Sequence, residues 1–171
     1  MTTLLANVSA SFGQGKQPPT TDLVIPDGFD PFEKEDAAAF YSGKTWQDVL
    51  AYLQGLKSNP RNGAAYFLEE WSVLNPVHLA YYLRAHLEYL LLTLASVTPD
   101  TEFVLRLLGE LQQVLRINKR SPFTAAQTGL LIQLAQHVRD LAAKNNLSAY
   151  QKHDIEQYAT QLLVDLEANG S

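Results

Sequence analysis

The sequence predicts an all-α protein built as a single domain, and three observations carry that reading. Helix-start signatures recur along the chain, each offering a side-chain oxygen to an orphan backbone N–H: Asp30-Pro31, Thr45 to Asp48, Asn75-Pro76, Thr98-Pro99, Thr124 to Gln127 and Ser148 to Gln151. Between them, apolar residues repeat at helical spacing. No run with a period of two is long enough to be a strand, and Leu23 to Ile25 is too short to build a sheet. The 171 residues form one domain of about seven or eight helices, with a short helix and a Gly/Pro-rich loop over 1–29 and a helical bundle over 30–169.

The elements follow in order. Leu4, Leu5, Val8 and Phe12 have helical spacing, and a loop from Gly13 to Pro26 follows. Asp30 caps a helix whose first residue is Pro31, with Glu33 set to reach back, running to about Tyr41. Thr45 opens a helix whose Trp46, Val49, Leu50 and Leu53 form one apolar stripe, ending near Lys57. A further helix covers Ala64 to Leu74. Asn75-Pro76 starts the longest helix, to about Ser96, and Thr98-Pro99 starts the next, to about Ile117; so brief a connection predicts an antiparallel hairpin. Capping boxes at Thr124/Gln127 and Ser148/Gln151 open the last two helices, to about Lys144 and Asn169. The helix near 76–96 is apolar nearly all round, with Leu79, Tyr81, Tyr82, Leu83, Leu87 and Leu90 among its residues, and so belongs at the centre of the bundle.

Composition limits function. Hydrophobic residues at 46% and charged residues at 18% describe a chain that folds. A net charge of −5 repels nucleic-acid phosphates and anionic membrane surfaces, so neither is an expected partner. There are no cysteines, hence no disulfides and no thiolate sites, and the first fifteen residues lack the pattern of a signal peptide. The most apolar stretch, Leu87 to Val97, is about half of the roughly 20 residues a membrane span needs. The expected location is cytoplasmic.

Candidate chemistry yields to simpler explanations at each position. Gly43-Lys44-Thr45 resembles the end of a phosphate-binding loop, but Ala38 stands where its first glycine belongs and a helix precedes it, so the string reads as a glycine helix stop and a threonine cap. His78, Tyr82 and His86 share one side of the central helix, but the two histidines are two turns apart, about 11 Å, too far for a shared metal. His153-Asp154, with His137 and Asp165, has the composition of a phosphohydrolase metal set, yet adjacent helical residues on a surface amphipath account for it. Glu33, Glu35 and Asp36 follow a helix start, where negative charge suits the dipole, and Arg116, Lys119 and Arg120 end a helix, where positive charge does. No catalytic, cofactor-binding or metal-ligating residue is assigned, and no cofactor is expected. The aromatics, among them Trp46, Trp71, Tyr81, Tyr82, Tyr89, Phe103, Phe123, Tyr150 and Tyr158, are mostly core, while some tyrosines and Trp71 suit an interface patch.

Several segments together resemble a family of small bacterial proteins of unknown function: Ala6 to Phe12 with prolines after it, Phe40-Tyr41-Ser42-Gly43-Lys44-Thr45-Trp46, Phe67-Leu68, Tyr81 to Leu87, and Phe123-Thr124-Ala125-Ala126-Gln127. In that family the tyrosine block reads Tyr-Tyr-Leu-Pro-Ala-Tyr-Leu; here Arg84 and His86 replace the proline and the second tyrosine. The resemblance implies a helical domain and carries no catalytic residues. Without the proline the central helix should run straight, with Arg84 and Glu88 paired at i, i+4.

These readings lead to a non-enzymatic protein–protein interaction module, in its most concrete form an immunity or antitoxin-like partner of a basic protein. Its expected interaction surface is Trp71, Tyr82, Arg84, His86 and Glu88. Two alternatives stand beside it. One is an enzyme whose dispersed site gathers His78, Arg84, His86 and Glu88 around the central helix, with His86 partly exposed; the other is a homo-oligomeric structural or ligand-binding bundle.

Overall fold

The computed structural model describes residues 2–13, 17–19, 22–24, 31–56, 73–118, 121–144 and 147–169. It is all-α, with seven helices among those residues: α1 (Thr2–Ser11), α2 (Pro31–Tyr41), α3 (Trp46–Leu56), α4 (Pro76–Leu94), α5 (Thr101–Ile117), α6 (Ala125–Lys144) and α7 (Ala149–Asn169). Most of the expected Ala64–Leu74 helix lies outside the described residues. Its described end, Val73 and Leu74, is not α-helical: Leu74 forms an isolated antiparallel bridge with Val24, and the Asn75 N–H donates to the Leu23 carbonyl at 3.0 Å.

The caps explain where helices begin. Thr45 and Asp48 form a reciprocal box: Asp48 Oδ2 accepts from the Thr45 N–H and hydroxyl, both at 2.7 Å, and Thr45 Oγ1 accepts from the Asp48 N–H at 3.2 Å. Those bonds hold the Asp48 carboxyl below its usual pKa, because they favour the charged form. Thr124 with Gln127, and Ser148 with Gln151, close two further boxes, while Asn75 Oδ1 accepts from the Val77 N–H. Asp30 lies outside the described residues.

The start of α5 departs from expectation. Its cap is Asp100 rather than Thr98, with Asp100 Oδ1 accepting from the Phe103 N–H at 3.1 Å. An aspartate caps as well as a threonine and adds a charge at the positive end of the dipole, which moves the start two residues on. Ser96 and Thr93 take up the intervening turn through bonds to Thr98 and Asp100.

The predicted centre is confirmed. In α4, 14 of 19 residues are buried, a count that requires neighbours on every side, and α3, α1 and α5 all pack against it. α4 runs unbroken through Arg84, whose Nε lies 2.8 Å from Glu88 Oε1. A single apolar core joins Val8 and Phe12 of the N-terminal region to Leu166 near the end of the chain. Where α4, α5, α6 and α7 converge, Leu87, Leu107, Leu131 and Leu162 face one another across a small internal void.

α5 and α7 also pack closely, although α6 intervenes in sequence. Gln151 Nε2 donates to Thr101 Oγ1 at 3.0 Å, Gln112 Nε2 to the Tyr158 carbonyl at 2.8 Å, and Arg116 lies 3.7 Å from Asp165. Residue numbers rise together along both helices, so α5 and α7 run parallel.

Candidate functional site, the groove between helices α5 and α7

The residues singled out from sequence mostly lie inside the molecule, where they join elements. Trp71 lies outside the described residues. Tyr82 is 1% exposed; its hydroxyl donates toward the carbonyls of Tyr41 at 3.0 Å and Lys44 at 2.9 Å, fixing the α2–α3 turn onto α4. Burial raises its pKa. His86 is 0% exposed and its Nδ1 bonds the Tyr82 carbonyl at 3.0 Å; desolvation lowers its pKa to about 3, so the ring is neutral at ordinary pH. His78 Nε2 lies 2.8 Å from the Pro19 carbonyl.

Arg84 and Glu88 form a clasp over α1. The guanidinium lies over the Trp46 ring, 3.6 Å from its centroid, and Ser9 Oγ donates to Glu88 Oε1 at 3.2 Å while accepting from Arg84 Nη2 at 3.2 Å. Gln127 Nε2 adds a bond to the Ser11 carbonyl from α6. Two expectations are corrected by this placement. Tyr82, His86 and Glu88 are buried and present no open interaction surface, because a helix apolar all round buries its polar members with the rest. The dispersed enzyme site required a partly exposed His86, and that side chain is sealed in the core.

The other metal and phosphate patterns resolve similarly. Gly43 sits at φ +74° after α2, with the Lys44 N–H bonded to the Tyr41 carbonyl, which is a helix stop and not a phosphate nest. Among the described residues no three His, Asp or Glu side chains gather as a metal set. Lys119 and Arg120 lie outside the described residues.

An open concavity lies elsewhere, between the parallel helices α5 and α7. It has a volume of about 680 Å³, and Glu102, Arg106, Gly109, Arg116, Asp154 and Tyr158 are among its walls. It continues along α7 past Tyr150, Gln157 and Gln161. Gly109 lies in its floor beneath Tyr158; a Cβ there would come within 3.4 Å of Tyr158 Cε1, so the ring lies against α5 at this point. Gln112, itself buried, ties the α7 backbone to α5 beneath that ring. Neither tyrosine belongs to the α7 core stripe of Ile155, Ala159, Leu162 and Leu166; Tyr150 is 75% and Tyr158 41% exposed, and Ile117 adds an exposed apolar wall.

No family model, curated protein or solved structure matches the chain. The groove has its own chemistry: exposed rings and an aliphatic wall, lined with charges of both signs and crossed by the Gln112–Tyr158 hydrogen bond. No helix among the described residues is long and apolar enough to cross a membrane.

Sequence reasoning missed this groove because α7 has the pattern of an ordinary surface amphipath. The signal was present in the spacing. Tyr150, Asp154 and Tyr158 recur at i, i+4 and i+8, one ridge running beside the apolar stripe that α7 needs for its own packing.

Proposed function

We propose that this chain is a non-enzymatic interaction module that acts in the cytoplasm and binds another protein along the α5/α7 groove. The observation that carries the reading is the pair of exposed tyrosines on one helix face, set along a groove in which Gln112 ties α7 to α5. Tyrosine supplies large contact area with a polar tip at low entropic cost, which is why it is enriched at protein interfaces. Net charge of −5 supports a protein partner over nucleic acid or an anionic membrane, and an immunity or antitoxin-like role is its most specific form.

Affinity capture from a lysate of the source cells tests this, comparing the wild type with the Tyr150→Ala/Tyr158→Ala double variant. Both positions are exposed, so the variant should retain its helical circular dichroism and melting temperature. A stoichiometric partner recovered by the wild type and lost by the variant is the expected result. Equal recovery by both proteins would remove the groove from the interaction.

A further inference from the structure

We infer that the α5/α7 groove is covered by the same groove of a second copy of this chain, the two related by a two-fold axis that passes beside Gly109 and Tyr158. This rests on the groove being a protein-interaction surface and names its partner.

The register of the two helices sets the axis. Three contacts mark levels along the groove: Gln151 with Thr101 at its start, Tyr158 against Gly109 in the middle, and Asp165 beside Arg116 at its end. On α7, Tyr158 stands seven residues from both Gln151 and Asp165; on α5, Gly109 stands eight from Thr101 and seven from Arg116. Either end is therefore about 11 Å from the middle. A two-fold axis crossing the helices at that level reverses their direction and exchanges the two ends, giving an isologous contact.

The two ends carry complementary chemistry. Glu102, exposed in the first turn of α5, belongs to one end, and Arg116, with a side chain 63% exposed, to the other. Both lie seven residues from Gly109, so the axis sets each against its opposite in the other copy, twice per dimer. A guanidinium has five N–H donors, more than Asp165 takes, so Arg116 can serve a second acid. The apolar side chains obey the same symmetry. Tyr150, at the level of Thr101, meets the exposed Ile117 of the other copy, while the Tyr158 rings meet beside the axis. Asp154 and Gln161, four residues before and three after Tyr158, face each other across it, and Gln161 keeps a second amide hydrogen beyond the one it gives Asp165.

A wholly basic partner would meet Arg106 and Arg116, and a wholly acidic one Glu102 and Asp154. A partner with both signs in reversed order answers both ends, and a second copy is such a partner. The net charge of −5 on each copy opposes their approach, but beyond about 8 Å salt screens it, whereas the exchanged pairs lie in contact. The face is one helix of 17 residues long, about 25 Å, and two helices wide, about 20 Å. An area on the order of 500 Å² per copy is small for a specific interface, which makes the dimer reversible and concentration-dependent.

Sedimentation equilibrium of the whole chain from micromolar to millimolar concentration tests this, and the wild type should double in mass as concentration rises. Glu102→Arg and Arg116→Glu each set like charges together twice, and each should weaken dimerisation about 10-fold while keeping its helical circular dichroism. Mixed in equal amounts, the two variants restore both pairs, so the mixture should dimerise as tightly as the wild type. Damage to either fold alone gives no such rescue. A monomer at every concentration, a dimer that neither variant weakens, or a mixture no tighter than the single variants would overturn the inference. Lysate capture separates the two levels. If the wild type stays monomeric and recovers a different protein that Tyr150→Ala/Tyr158→Ala loses, the groove stands and the second copy is refuted. Equal recovery of that protein by both, or a dimer that the tyrosine variant leaves intact, refutes the groove itself.

Discussion

Two glycines in the left-handed region illustrate how differently single residues constrain this chain. Gly13, at φ +64°, lies where a Cβ would come within 2.6 Å of Arg84 Cδ, whereas Gly43, at φ +74°, has open space around it. Gly43→Ala should therefore cost only the backbone preference, about 1 kcal/mol. Gly13→Ala must also displace the guanidinium from Trp46, so its loss should be larger, roughly 2–3 kcal/mol; urea denaturation of both variants checks the ranking. His86 makes a pH prediction. Its folded pKa of about 3 lies below the unfolded value of 6.5, so at low pH the unfolded chain takes up a proton that the folded chain refuses. The contribution is complete above pH 6.5 and is lost as pH falls toward 3, at up to about 1.4 kcal/mol per pH unit. His86→Leu should show a shallower decline of stability over that interval than the wild type in pH-dependent urea titrations, and identical slopes would refute the burial argument. The histidine was visible in the sequence but its burial was not, because a helix apolar on every side does not declare which polar member faces inward.

At the scale of elements, caps were the most legible feature. Thr45, Asn75, Thr124 and Ser148 begin their helices as their side-chain chemistry requires. Asp100 was missed because Thr98-Pro99 offers a second, equally familiar start two residues earlier, and only the packed turn between α4 and α5 decides between them. Removing the α3 box with Thr45→Ala should cost about 1 kcal/mol, read from thermal or denaturant unfolding. The clasp on α1 predicts a different kind of effect. Glu88→Ala leaves the Arg84 guanidinium in a partly buried site without its carboxylate, at a cost of about 1–3 kcal/mol. Hydrogen exchange should report it locally, with α1 amides losing protection before those of α4; uniform loss across the molecule would mean that the clasp does not hold α1 separately. The sequence suggested the i, i+4 pair but could not suggest Ser9 or Trp46, which meet it only through tertiary structure.

For the molecule as a whole, the junction of α4, α5, α6 and α7 is the point on which cooperativity depends. Leu87 is fully buried there, beside a void that already marks the limit of packing. Leu87→Ala should cost about 3–5 kcal/mol, because neighbours held by three other helices cannot collapse into the vacated space. Circular dichroism and tryptophan fluorescence should still report one coincident urea transition, and two separate ones would show that the core is divided. The all-α class and the central position of α4 were legible because hydrophobic periodicity records them directly. The groove was not, since it arises from two helices separated in sequence by α6, and no local pattern encodes that meeting. Their parallel alignment carries one more consequence. The peptide dipoles of α5 and α7 reinforce rather than cancel, so the cleft has an electrical polarity from Thr101 and Ala149 toward Ile117 and Asn169. A helical guest settling along it would feel a direction as well as a shape: the antiparallel heading is favoured by a few tenths of a kcal/mol, enough to bias which end of the guest enters first.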